Sequence, residues 1–157
     1  GYKMIIGLEF EIENEYDTFI EKILKDTCFP TLDWKIFTDS IIRKGDNGKE
    51  IDGLFPIKEI SGMDFQKRIS ENLYYLIFAD LKGYKAGSDK NDIDSYSDFV
   101  SSNCEIVVLC IDSVYISVFC KNNSDLLAIK ENCKRNNFKD VKEIADTKAI
   151  SHYFRAF

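Results

Sequence analysis

The chain predicts an α+β fold: one domain over residues 1–157, a mostly antiparallel mixed sheet with helices packed mainly on one face. Three observations predict it. The apolar runs Ile106–Ile111 and Val114–Phe119 flank the polar pair Asp112-Ser113, the pattern of a hairpin at the centre of a sheet. Residues Met4 to Ile12 alternate in polarity and lead into a helical stripe. The segments then follow in the order βα, ββ, short α, β, short α, ββ, α, β, with neither an internal repeat nor a low-complexity linker.

In the first strand Met4, Ile6, Leu8, Phe10 and Ile12 share one face, and Ile5, Gly7, Glu9 and Glu11 share the other, which is at least partly wet. Asn14 is placed to cap a helix, with Glu15 and Asp17 in its positively polarised first turn. Tyr16, Phe19, Ile20, Ile23 and Leu24 form its apolar stripe. After Phe29-Pro30, Asp33 to Thr38 reads as a strand holding the only Trp, which Ser40 to Lys44 either continues or pairs back on. Gly45-Asp46-Asn47-Gly48 is turn chemistry, and Lys49 to Ile60 reads as irregular, broken at Pro56.

Ser61 is expected to cap a short helix over Asp64 to Asn72, with Phe65, Ile69 and Leu73 inward. Tyr74 to Leu81 is a strand whose apolar residues fall on both parities, hence a central one. Gly83 to Asp94 reads as a polar loop and Ser95 to Ser102 as a short helix anchored by Tyr96 and Phe99. Ser124 is expected to cap the last helix, Asp125 to about Asn136, striped by Leu126, Ile129 and Cys133. Phe138 to Ala145 is a weaker strand, and residues 147–157 form an aromatic tail whose order the pattern leaves open.

Composition excludes several classes. The net charge of −6 repels phosphate backbones and anionic bilayers, so neither nucleic acid nor membrane is expected as a partner. No stretch approaches the ~18 apolar residues of a membrane span. The segment from Gly1 to Ile6 lacks a signal-peptide layout, and Gly1 in place of Met reads as a remnant of an expression tag. The five cysteines form no CxxC pair, and Cys104, Cys110 and Cys120 fall in strand patterns. They read as reduced thiols of a cytoplasmic protein, a disulfide being the alternative.

Among polar constellations, Glu9, Glu11 and Glu13 are the sharpest. Neighbours on one strand face lie about 6.5–7 Å apart, close enough to interact. The row reads as a solvated face that discourages edge pairing, or as an electrostatic docking site for a basic partner. A catalytic carboxylate pair is the remaining alternative, though every i, i+2 acidic pair on a strand shares that spacing. The run Asp89 to Asp94 resembles a calcium loop but has Ile93 at position 5 and Asp94 where Gly is required. His152 stands alone, so neither a zinc set nor a triad is supported, and no catalytic or metal residue is assigned. The glycines complete neither a dinucleotide motif nor a P-loop, so no cofactor is expected. In the tail, Tyr153, Phe154, Arg155 and Phe157 form either a partner-binding patch or a lid folded back on the core.

The opening Gly7-Leu8-Glu9-Phe10-Glu11-Ile12 with Asn14-Glu15-Tyr16, the strand Tyr75 to Lys82, Ser97-Asp98-Phe99 before Cys104-Glu105, and Asp112-Ser113-x-Tyr115 together resemble a bacterial family of uncharacterised proteins, domain of unknown function 2691. The resemblance runs nearly end to end. It implies bacterial, cytoplasmic origin and brings no activity or site residues with it. The residues themselves favour a non-enzymatic acidic module that binds a basic protein, in the manner of immunity proteins or antitoxins, through Glu9, Glu11 and Glu13. The alternative is a small-ligand binder or enzyme with its site near the 83–94 loop.

Overall fold

The structure, a computed structural model, describes residues 3–156. Eight strands form one sheet, and every pairing between them is antiparallel. They are β1 (Ile5–Glu11), β2 (Leu32–Lys44), β3 (Glu50–Asp52), β4 (Glu59–Ser61), β5 (Tyr74–Lys85), β6 (Cys104–Ile111), β7 (Tyr115–Cys120) and β8 (Lys139–Ala145). The order across the sheet is β3-β2-β5-β6-β7-β1-β8, with β4 also paired to β2. The helices are α1 (Phe19–Leu24), α2 (Gly62–Ser70), α3 (Tyr96–Ser101), α4 (Asn123–Arg135) and α5 (Asp146–Ala149).

The expected hairpin is β6–β7, in register from Ile106↔Cys120 to Ile111↔Tyr115. Its turn puts Asp112 and Ser113 at positive φ, the backbone twist that matches right-twisted strands. Two cores flank the sheet. The larger joins α1, α2 and α4 to Leu8, Phe10, Trp34, Leu81, Val108 and Val118. There Phe65 is sandwiched between Trp34 and Phe55, with ring centroids at 4.2 and 5.3 Å. Trp34 can lie flat because its cross-strand partner is Gly83, where a Cβ would come within 2.8 Å of the indole. The smaller core, on the opposite face, is closed by α3, α5 and the tail.

Several boundaries differ from expectation, each for a tertiary reason. Asn14 caps no helix; its amide donates to the carbonyl of Leu76, and Asp17 makes a bridge with Tyr74. The first helix therefore begins at Phe19, where the buried Tyr74 hydroxyl accepts from the N–H of Ile20 and donates to the carbonyl of Ile69. Tyr16 leaves the apolar stripe to sit between Tyr75 and the ammonium of Lys44. Strand β2 continues through Lys44, and the stretch read as irregular contains β3 and β4. Because α2 ends at Ser70, Leu73 is 52% exposed rather than inward.

Asn122, not Ser124, caps α4: its side-chain oxygen accepts from both the N–H and the hydroxyl of Ser124. In β1, Ile5 opposes Ala145 while Gly7 opposes Ile144, so Ile6 is the extra residue of a bulge. The bulge turns Ile6 into the smaller core and leaves Met4 50% exposed, breaking the alternation read from Met4 to Ile12.

Candidate functional site

The glutamate row lies where β1 runs between β7 and β8. Glu9 faces Ser117 on one neighbour and Lys142 on the other; Glu11 faces Tyr115 and Lys139. A second bulge shapes this end. Between the pairs Glu9↔Lys142 and Glu11↔Lys139, β8 contributes one residue more than β1, and Asp140 there has a φ of 53°. Asp tolerates this left-handed backbone better than most residues. The kink places Asp140 beside Glu11 in one dent, and the neighbouring Asp140 carboxyl holds the Glu11 carboxyl above its usual range against the opposing pull of Lys142 and Lys139.

Each glutamate thus has a different neighbour. Glu13 is held by the ammonium of Lys139, which keeps its carboxyl below the usual range. Glu9 lies 3.7 Å from Nε2 of His152, whose Nδ1 is 3.0 Å from the carbonyl of Lys148. Only the pair Glu11–Asp140 sets carboxyl against carboxyl. It lines a shallow dent of about 220 Å³ with Glu9, Ser117, Lys142 and Tyr115, the last 55% exposed.

The region expected to hold an alternative site is organised differently. Strand β5 runs on through Gly83 and Tyr84 to Lys85, so the loop proper starts at residue 86. Its polar groups tie it down: Gly87 N–H donates to Asp33, and the Tyr84 hydroxyl donates to the carbonyl of Asn91. Two of the three carboxylates of the calcium-like run face cations of the chain, Asp92 at 3.8 Å from Lys35 and Asp94 at 3.4 Å from Arg155. Beneath this cover, on the central strand, lies an ion pair that sequence reading missed. Asp80 and Lys82 are each 1% exposed and hydrogen-bonded to one another. Burial pushes the Asp80 carboxyl up and the Lys82 ammonium down, each opposed by the other's charge. Opposite charges at i, i+2 on a strand apolar on both parities were the available signal.

The tail supplies the lid. Phe154 is fully buried, stacked on Phe119 with centroids 4.0 Å apart, and the N–H of Ala156 donates to Asp80 at 3.1 Å. Of the two tail readings, the folded-back one describes Phe154, which is unavailable to a partner. Tyr153 is exposed, Arg155 is half-exposed, and Phe157 lies outside the described residues. All five cysteines are free thiols. Burial pushes Cys104 and Cys110 up to about 12, and Cys28, whose thiol donates to Asp125, is also pushed up to about 12. None is an activated nucleophile. No helix among the described residues is long and apolar enough to cross a membrane.

Comparison with known proteins gives the chain a family. It is 33% identical over 142 residues to the uncharacterized protein YncE of Bacillus subtilis (strain 168), an alignment covering 89% of this chain and 92% of that protein. No solved structure matches it. The family model described as "Protein of unknown function (DUF2691)" matches residues 5–155, and the chain belongs to that family.

Proposed function

We propose that this protein is a non-enzymatic interaction module that holds a basic protein partner at the β1–β7–β8 end of its sheet, as immunity proteins and antitoxins do. The observation that carries the reading is the Glu11–Asp140 pair. Two carboxyls set side by side at the surface repel one another, Lys142 and Lys139 offset part of that repulsion, and an incoming Lys or Arg would offset more of it. Glu9 beside the pair and the exposed ring of Tyr115 add a second charge and an aromatic contact of the kind enriched at interfaces. The net charge of −6 favours encounter with a basic partner at long range.

The test uses the immobilised full chain and its Glu9→Lys/Glu11→Lys variant in an extract of the source cells, at ~0.05 M and ~0.5 M salt. A basic protein retained by the wild type at low salt, and lost both in the variant and at high salt, is the expected result. Retention that ignores salt and charge reversal, or no retention at all, overturns the proposal.

A further inference from the structure

The other end of β1 carries a different surface, and nothing in the docking reading depends on it. Where β1 begins and β7 ends, α3 from one face of the sheet and the start of α4 from the other enclose a cavity of about 530 Å³. This is the size range of small-molecule sites. Its walls are Ile6, Phe99 and Leu126, buried members of the two separate cores, and the exposed side chains of Met4 and Val100. Its polar groups are Lys3, Lys121 and Asn123, with Asn123 opening the thirteen-residue α4 at its positively polarised end.

Charge sets this cavity apart. Four other grooves of the surface each carry two or more carboxylates, whereas this one carries two lysines and no acid. In a chain of net charge −6, two lysines at an apolar opening with no acid in its lining favour an anionic ligand over a cationic one. Lys121 is held at the rim, its ammonium donating to the carbonyl of Ser102 at 2.5 Å and lying 5.3 Å from the ring centre of Phe99. Its nearest carboxylate, on Glu105, is at 4.0 Å, the limit of an ion pair. Partial desolvation pulls the Lys121 ammonium below the usual lysine range although Glu105 pulls it up. An additional anion would stabilise it.

We infer that this cavity is a binding site for a small apolar monocarboxylate, its chain between Met4, Phe99, Val100 and Leu126 and its carboxylate on Lys121. The apolar wall supplies affinity in proportion to the area the ligand covers, and the charged rim selects the head group.

The experiment titrates the full chain calorimetrically with decanoate, decanol and decylamine. Decanoate is expected to bind saturably at one site, decanol about tenfold more weakly because it cannot make a charge-assisted bond, and decylamine not measurably. Lys121→Met, which keeps the apolar stem, lowers decanoate affinity about tenfold and leaves decanol unchanged. Val100→Trp fills the opening from a position 56% exposed, so it abolishes binding while the melting temperature stays at the wild-type value. Glu9→Lys/Glu11→Lys binds decanoate like the wild type, which separates this site from the docking surface. Equal affinity for decanoate and decanol, wild-type binding by Val100→Trp, or no saturable decanoate binding each overturns the inference.

Discussion

Replacing Lys82 by Met removes the cation from the buried pair while keeping the side chain's length. In the folded protein Asp80 then retains the N–H of Ala156 as its donor, at 3.1 Å, in a site where only 1% of the residue is exposed. It must stay charged and poorly compensated or take up a proton. The second route sets a ceiling on the penalty. Protonating a carboxyl whose ordinary value is 3.8 costs about 1.4 kcal/mol per pH unit, hence about 4 kcal/mol at pH 7 and about 1.5 kcal/mol at pH 5. The ceiling at pH 7 agrees with the ~3–5 kcal/mol lost when one member of a buried ion pair is removed. The double variant Asp80→Leu/Lys82→Met removes both charges. It leaves only the Ala156 N–H without an acceptor, at about 1–3 kcal/mol. Urea unfolding followed by circular dichroism at pH 7 and pH 5 measures all three proteins. Lys82→Met is expected to be strongly destabilised at pH 7, to recover more than half of that loss at pH 5, and to be less stable at pH 7 than the double variant. A loss under about 1 kcal/mol at pH 7, or one that does not change with pH, would refute the reasoning.

Gly62→Ala would place a Cβ 2.1 Å from the carbonyl oxygen of Pro30, so urea unfolding should show a loss of about 1–3 kcal/mol from forced backbone displacement. Phe154→Ala empties the centre of the smaller core and should cost about 3–5 kcal/mol by the same measurement, with faster amide exchange in residues 150–156. The thiols of Cys104, Cys110 and Cys120 keep their protons in the folded state at pH values where unfolded thiols, near 9, have lost theirs. Their contribution is therefore complete below pH 9. It is lost as pH rises toward 12, at about 1.4 kcal/mol per pH unit for each thiol, so Cys110→Ala should flatten the alkaline limb of a stability–pH profile by that amount.

The parts of the fold that local chemistry decides were readable. The Asp112-Ser113 break, the Ser61 cap and the dual-parity strand after Tyr74 each write their own signal within a few residues. What failed depends on partners distant in the chain. Asn14 has every local attribute of a helix cap, yet Leu76, sixty-two residues away, takes its amide donor. Asp80 and Lys82 alternate like the wet face of a strand, and distant groups cover them, Ala156 of the folded-back tail on Asp80 and the ring of Phe37 on Lys82. The glutamate row was visible as a pattern. Its one unusual member was not, because Asp140 reaches Glu11 through a bulge in a strand that meets β1 only after the chain has closed.

That bulge has a structural use that must be separated from the proposed docking role. Strand β8 is a sheet edge, and bulges and charged residues are how edges avoid pairing with other chains. Lys139, Lys142 and Glu143 accomplish this without Asp140, so the edge reading gives the Asp140 carboxylate no task of its own. Asp140→Asn distinguishes the two. Asn accepts the left-handed backbone as Asp does, so stability should stay within about 0.5 kcal/mol and the edge should remain protected. The side chain would then donate to Glu11 instead of repelling it, and a carboxyl-detected NMR titration should show Glu11 returning downward into the ordinary carboxylate range. If Glu11 titrates identically in both proteins, the two acids do not meet in solution. The cation-accepting pair would then not exist, and the case for a basic partner at this end of the sheet would fall with it.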